Sequence, residues 1–229
     1  MKIEFVLVEP KVPENIGASA RAIKTMGFDS LSLVNPCEWK DGKARWVAHG
    51  AYDILEKATV FPNLKMALAD TDFTIATSAK QRTVKQDYLD ISDLRLFLDS
   101  RASVIRKVSL VFGREESGLT NDEMMLCDIT STIPMAVTFP SLNLSQAVMI
   151  YAYSLTNTID KPEPGNVNTD SDSFRNLKAR TSNILKMLGI DETDNRYGRI
   201  MERISFLNPD DLNLLHSFTS LLIEKLNRQ

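Results

Sequence analysis

The sequence predicts an α/β protein, a parallel β-sheet covered by helices on both faces. Two observations predict it. Short β-branched runs alternate with stretches of helical spacing over the first two thirds of the chain. Those runs are apolar nearly throughout, not at every second residue, as strands buried on both faces must be. A third observation sets the scale: 229 residues, 43% of them hydrophobic, are enough for one large domain, or for one domain with a short extension.

Taken in order, the strand runs are "IEFVLVE" (3–9), "SLSLVN" (30–35), a weaker "ATVF" (58–61), "FTIATSA" (73–79), "VSLVFG" (108–113) and "ITSTIP" (129–134). Helical patterns fall between them near 15–26, 45–57, 63–69, 92–100, 120–127 and 143–159. At their starts, Asn15 is a capping candidate for the first, Thr120 or Asn121 for the fifth, and Ser141, Asn143 and Ser145 crowd the sixth. "DKPEPGNVNTDSDS" then reads as a linker, and residues 1–160, 161–172 and 173–229 divide as a first domain, the linker and a helical C-terminal extension. Three helical patterns fill that extension, near 173–188, 195–206 and 209–227, and the last, with Asp210 or Asp211 near its start, carries a broad leucine-rich stripe.

Composition narrows the function. Cys37 and Cys127 lie far apart without CxxC spacing, so a disulfide framework and a cysteine-rich zinc site are both unsupported and buried, inert thiols are expected. His49 and His216 are the only histidines, and neither has metal-ligand spacing around it, so no metal is expected. No apolar run approaches the roughly 20 residues of a membrane span, and "MKIEFVLVEP" lacks a signal-peptide pattern, which places the expectation in the cytoplasm with no membrane partner. A net charge of −3 argues against bulk electrostatic binding of nucleic acid. Local basic groups remain: Lys80, Arg82 and Lys85; Arg101, Arg106 and Lys107; Arg196, Arg199 and Arg203, each of which has solvated surface as its commoner use.

In a parallel sheet, ligands bind beyond the carboxyl ends of the strands, so the loops that follow each strand deserve the closest reading. "VFGREESGLTNDE" is neither a Walker loop nor GxGxxG; its Gly113 and Gly118 indicate a sharp bend or a close approach, and a tight turn with surface acids competes evenly with a ligand loop. "TFPSLNLSQAVMIYAYSL" places Ser141, Asn143 and Ser145 at a helix N-terminus, where free N–H groups favour oxygen-rich ligands, although a cap needs only one of them. "PENIGASARAIKTMG" is a helix of mainly small residues with Arg21 two turns in, either a solvated charge or a guanidinium aimed at a phosphate.

Together, and in this order, "VPENIGASARAIKTMGFDSLSLVNP", "VFGREESGLTNDEMMLCD" and "IPMAVTFPSLNLSQAV" resemble the three motifs of the SPOUT-class (TrmH/SpoU) RNA 2'-O-ribose methyltransferases. The resemblance covers essentially the whole chain and is strongest to the TrmJ-type branch, the tRNA (cytidine/uridine-2'-O)-methyltransferases; "TSAKQRT" falls where that branch has a cofactor loop. It implies a C-terminal trefoil knot in the sheet domain, a homodimer, and S-adenosylmethionine as cofactor, held by Thr77, Ser78, Ala79, Gly113, Ile133, Ser141, Leu142 and Asn143. It assigns Asn15, Arg21, Glu115 and Ser141 to the active site, with Arg21 of one chain serving a site completed by the other. The implied substrate is RNA, tRNA before rRNA, at anticodon-loop position 32 by analogy.

Arginine holds its proton too firmly to be a general base, so its expected role is to grip the adjacent phosphate and stabilise the developing alkoxide. Glu115 reads as an anchor for its loop or for Asn15, or as a substrate contact, and Ser141 as a hydroxyl orienter or a cap. The third-motif loop, "PMAVTFPSLN", carries one departure from the family pattern, Phe139 and Pro140 directly before Ser141. Three rivals are weaker. A noncatalytic RNA-binding relative would show damage at Arg21, Asn143 or "GREESG"; an oxidoreductase would carry GxGxxG; a guanine N1 methyltransferase would not carry "NIGASAR".

Overall fold

The computed structural model describes residues 1–40, 42–80, 82–85, 87–137, 139, 141–156 and 174–226. Its centre is a seven-stranded, wholly parallel sheet in the order β3-β2-β1-β6-β4-β7-β5. The strands are β1 (Lys2–Val8), β2 (Leu31–Val34), β3 (Thr59–Phe61), β4 (Phe73–Thr77), β5 (Tyr88–Asp90), β6 (Lys107–Phe112) and β7 (Ile129–Thr132). β1 to β3 build outward to one edge, β4 and β5 leave spaces on the other side, and the last two strands fill them: β6 between β1 and β4, β7 between β4 and β5.

Both faces of the sheet are covered. Along β1, Phe5 and Leu7 enter one apolar cluster while Val6 and Val8 enter another, so the uninterrupted apolar run is explained by two cores and not by one. The larger core packs under α1 (Pro13–Thr25), α5 (Ile91–Asp99), α7 (Leu144–Leu155) and α8 (Phe174–Met187), the smaller under α4 (Leu64–Ala67) and α6 (Asn121–Met125). The remaining helices are α2 (Lys43–Val47), α3 (Tyr52–Lys57), α9 (Asn195–Ser205) and α10 (Pro209–Leu226).

Several sequence expectations are revised. The single helix at 45–57 is two helices, α2 and α3, because the chain turns at Gly50, whose φ is +81°. Asn15 does not cap α1: the helix starts two residues earlier on Pro13, whose fixed φ suits the first turn, and Asn15 lies inside it. α10 is opened by Asn208, whose side chain accepts from the Asp211 N–H at 2.9 Å, not by Asp210 or Asp211. Strand β5 was not anticipated. Thr120 and Asn143 do cap α6 and α7, each with a reciprocal bond from the third helical residue, Glu123 and Gln146. The linker at 161–172 and the tail of the helix read to 159 lie outside the described residues, as does Pro140. Phe139 is 85% exposed.

The grouped cations divide: Lys80, Arg106, Arg196 and Arg203 are exposed, while Arg82, Lys85, Arg101, Lys107 and Arg199 are partly or fully buried. Lys85 is buried and donates to the Cys127 carbonyl at 2.7 Å. Arg101 is buried, lies 3.7 Å from the Phe97 ring centroid, and donates to the carbonyls of Phe206 and Leu207 at the end of α9, both at 2.9 Å. Lys107 pairs with Glu4 at 3.0 Å, Arg196 with Asp194 at 2.6 Å, and Arg199 and Arg203 both with Asp87. Both cysteines are free thiols; Cys127 is fully buried, and that burial pushes its thiol up to about 12, while Cys37 is partly exposed. Lys178 of α8 reaches Asp128 at 2.8 Å, and Asp128 also accepts from the backbone and hydroxyl of Thr74, so the C-terminal helices are tied to the sheet by buried charge.

Candidate active site

The loops after β4, β6 and β7 converge at the carboxyl edge of the sheet and enclose a cavity of about 230 Å³. Thr77, Ser78 and Ala79 line it from the first loop, Gly113 to Leu119 from the second, and Ile133, Met135, Ser141 and Leu142 from the third. Phe112, Leu144, Ala147 and Tyr151 form an apolar wall, with the Phe112 and Tyr151 rings edge to face at 5.5 Å.

Each loop is held by its own bonds. Thr77 spends its hydroxyl on the Val111 carbonyl at 2.9 Å, and the Ser78 N–H donates to the Ser131 carbonyl at 3.1 Å, which fastens the first loop to β6 and β7. The second loop is a tight hairpin in which Arg114 and Gly118 exchange backbone hydrogen bonds of 3.2 and 2.9 Å. Gly113 lies beneath it so closely that a Cβ would sit 2.0 Å from the Gly118 carbonyl carbon, which is why glycine is required there. Arg114 forks onto Glu123 with two bonds of 2.9 Å and onto Glu9 at 3.0 Å. Those hydrogen bonds, Glu123 first, raise the guanidinium pKa further above its already high value. Arg82 stitches the first loop to the second, donating to the carbonyls of Leu119 and Ser117 at 2.7 and 3.0 Å.

Glu115 turns toward the start of α1. Its carboxylate accepts from the backbone N–H groups of Lys11 and Val12 at 3.0 and 3.1 Å and from Asn15 Nδ2 at 3.0 Å. It therefore satisfies N–H groups at the entry to α1, where Val12 offers no side-chain cap, and it meets the positive end of the helix dipole. Desolvation pushes this carboxyl up, but the bonds from Asn15, Lys11 and Val12 outweigh it and hold it below the usual glutamate range. Asn15 Oδ1 in turn accepts from Asn143 Nδ2 at 3.0 Å, while Asn143 Oδ1 caps α7 through the Ser145 N–H at 2.9 Å. One polar chain, Glu115–Asn15–Asn143, thus joins the three stretches singled out in the sequence.

Of the residues named in advance, Thr77, Ser78, Ala79, Gly113, Glu115, Ile133, Ser141 and Leu142 share the cavity lining. Asn143 and Asn15 stand behind it in the polar chain. Arg21 is not brought to the lining of its own chain's cavity. It lies on α1 six residues beyond Asn15, roughly 9 Å along the axis, exposed and with no hydrogen bond or ion pair among the described residues. Gly17, one turn before it, is pressed against the Ala44 backbone, so the small residues at the start of α1 let α2 lie alongside. Sequence reasoning missed Arg114, Arg82, Leu119, Met135 and the wall residue Phe112. An arginine set between a glycine and two acids was the available signal for the first, and nothing local distinguishes Arg82 from the lysines beside it.

A parallel sheet with a loop-built cavity at its carboxyl edge fits the SPOUT-class RNA methyltransferases that the three motif stretches resemble, and the family matches settle the class. Residues 2–153 match the SpoU rRNA Methylase family and residues 171–226 match the C-terminal domain of the tRNA/rRNA methyltransferase LasT. The chain belongs to the SpoU methylase family, whose members are RNA 2'-O-methyltransferases, and lies close to TrmJ. It is 39% identical over 216 residues to the uncharacterized tRNA/rRNA methyltransferase LasT of Escherichia coli (strain K12), covering 94% of this chain and 95% of that one. It is 41% identical over 153 residues to the tRNA (cytidine/uridine-2'-O-)-methyltransferase TrmJ of Yersinia pestis (strain Pestoides F), 67% of this chain and 59% of that protein. Among solved structures, TrmJ from Z. mobilis ZM4 superposes with a TM-score of 0.67 at 27% identity, over 97% of this chain and 99% of that one. Among the described residues no group of side chains is arranged to hold a metal ion, and no helix is long and apolar enough to cross a membrane.

Proposed function

We propose that this chain transfers the methyl group of S-adenosylmethionine to a ribose 2'-oxygen in RNA, with tRNA as substrate and the anticodon-loop nucleotide at position 32 as target. The observation that carries the reading is the Glu115–Asn15–Asn143 chain, which gathers the three motif stretches at one cavity and leaves Arg21, alone among their long cations, without a partner among the described residues. The cavity suits the cofactor. An apolar wall of Phe112, Ile133, Leu144 and Ala147 accepts a flat base and the methylene groups beside the sulfonium, while Ser78, Ser141 and the backbone of three loops provide polar groups for a ribose and an amino acid end.

When bound, S-adenosylmethionine supplies an already activated methyl, so the protein's tasks are to place and to activate the ribose oxygen. Ser141, on the cavity rim, orients the 2'-hydroxyl. Arg21 keeps its proton throughout, grips the neighbouring phosphate and donates to the developing alkoxide; solvent or a phosphate oxygen takes the 2'-hydroxyl proton. Glu115 and Asn15 act by holding the loops, since their hydrogen-bonding atoms are turned to each other and to the backbone of α1's entry. Because Arg21 is off its own chain's cavity, we assign the complete site to a homodimer in which Arg21 of one protomer faces the cavity of its partner. We also read the slotting of β7 between β4 and β5 as part of a trefoil knot, residues 1–160 as the catalytic domain, and 173–229 as an extension that supports tRNA binding, all in the cytoplasm.

The test is methyl transfer from S-adenosylmethionine to unmodified total tRNA, with mass-spectrometric mapping of ribose methyls. A single 2'-O-methyl site is expected, reduced at least ~100-fold by Arg21→Ala with cofactor affinity retained. Full turnover by Arg21→Ala refutes the assignment, and full turnover by Arg21→Lys refutes the two-pronged grip. Inert tRNA alongside methylated ribosomal RNA transfers the reading to rRNA; cofactor binding without transfer to either moves it to a noncatalytic RNA-binding protein of the same fold.

A further inference from the structure

The wall of the cavity formed by Ser78, Ala79, Lys80 and Arg82 belongs to the connector between β4 and β5, described at residues 78–80, 82–85 and 87. Besides the Ser78 N–H bond to the Ser131 carbonyl and an Arg82 N–H donated to the Tyr88 hydroxyl at 2.7 Å, it is anchored through three side chains. Arg82 binds the second loop through the Ser117 and Leu119 carbonyls, and Lys85 binds the Cys127 carbonyl. The third anchor is Asp87, and it is held from the far end of the sequence. The Asp87 N–H donates to Glu202 Oε1 at 3.2 Å, and its carboxylate accepts from Arg199 at 2.9 Å and Arg203 at 3.0 Å. Arg199 also donates to Glu202 Oε2 at 2.9 Å, which closes the network.

Glu202 is only 3% exposed. A buried carboxylate is a poor device for stability alone, since an apolar side chain of the same volume generally does as well without the desolvation. What an apolar side chain does not provide is an acceptor for the Asp87 N–H and a fixed seat for Arg199. The base of this network is stationary, because Arg101 pins the Phe206 and Leu207 carbonyls at the end of α9 and the Phe206 ring packs edge to face on Phe97 at 5.8 Å. Glu202 therefore sits on an element locked to the sheet and holds the Asp87 end of the connector whose other end, at Ser78 to Arg82, lines the cavity.

We propose that Glu202 is a positioning residue for the cofactor cavity: through Asp87 it sets where the 78–87 connector carries Ser78 and Ala79, so the C-terminal helices contribute to cofactor binding and not to RNA binding alone. This rests on the reading that the cavity holds S-adenosylmethionine. The consequence is selective. Loosening the connector weakens the cofactor's seat and raises its KM, while Arg21 is untouched, so turnover at saturating cofactor persists.

The test uses the full chain and calorimetric titration with S-adenosylmethionine, alongside steady-state kinetics. Glu202→Ala is expected to weaken cofactor affinity and raise its KM about ten-fold, with kcat within about two-fold and tRNA retention in a gel-shift unchanged. Glu202→Gln, which keeps an acceptor for the Asp87 N–H, is expected to recover most of the affinity. Arg203→Ala, at a side chain 61% exposed, removes one bond to Asp87 without burying a void, and is expected to give a two- to three-fold loss even where Glu202→Ala does not fold. Wild-type cofactor affinity in folded Glu202→Ala or in Arg203→Ala overturns the inference and leaves the functional reading standing. Equal losses in cofactor affinity, kcat and RNA retention overturn it as well, by showing general damage. A wild-type chain that binds no S-adenosylmethionine overturns both.

Discussion

Glu115→Gln separates anchoring from substrate contact. In the native chain one carboxylate oxygen serves Val12 N–H and Asn15 Nδ2, and the other serves Lys11 N–H. A carboxamide has a single acceptor, so its amino group must confront at least one of those donors. Hydrogen bonds to a charged group contribute about 1.5–3 kcal/mol each when well shielded, and these are partly open to solvent, so a total loss of ~2 kcal/mol is expected. For a chain of 229 residues that lowers Tm by about 4–8 °C at neutral pH. The sign of the pH dependence follows from the depressed folded pKa: the carboxylate's contribution is fully present above the ordinary glutamate value of 4.5 and is lost as pH falls below it. Melting curves of the two proteins, taken from neutral pH downward, should therefore converge in acid. Identical melting at neutral pH together with lost turnover would refute the anchoring argument and return Glu115 to the substrate.

Two further substitutions probe the cavity and its support. Gly113→Ala places a Cβ 2.0 Å from the Gly118 backbone, which no rotamer change relieves, so the hairpin must open. Lowered Tm and loss of cofactor binding by calorimetry are expected; retained affinity would contradict the close approach. Arg101→Met keeps the apolar packing on Phe97 but leaves the Phe206 and Leu207 carbonyls without their donor, for a loss of about 2–3 kcal/mol and faster proteolytic cleavage between α9 and α10. An unchanged cleavage rate would show that the guanidinium does not hold that end.

Legibility in the sequence followed the range of the interactions involved. β1, β2, β4 and β6 were readable because each supplies apolar residues to two cores, whereas β5, with three residues, Tyr88, Leu89 and Asp90, all of them partly or fully exposed, carries no such signal. The caps at Thr120 and Asn143 were readable because donor and acceptor lie two or three residues apart. The equivalent service at α1 comes from Glu115, about a hundred positions away, and local pattern put it on Asn15 instead. Cations were the hardest to read. Lys85 and Arg101 look like any surface charge in the sequence, and only tertiary packing shows them buried against backbone carbonyls. The gathering of the cavity residues follows from motifs on three loops; that Arg21 belongs to a site completed by a second chain came from the family resemblance alone, because local pattern does not say where α1 lies relative to loops contributed by other strands.

The order in which the sheet is filled constrains how the molecule comes into being. β4 and β5 share no ladder, and the strand that joins them, β7, ends at Thr132, long after both have been synthesised. Until that segment arrives the cavity lacks its third loop and β5 has no partner, so a nascent or truncated chain has nothing to bind with. Pairings between segments so distant in sequence form slowly and late. Assembly of the sheet and closure of the cavity are thus one event.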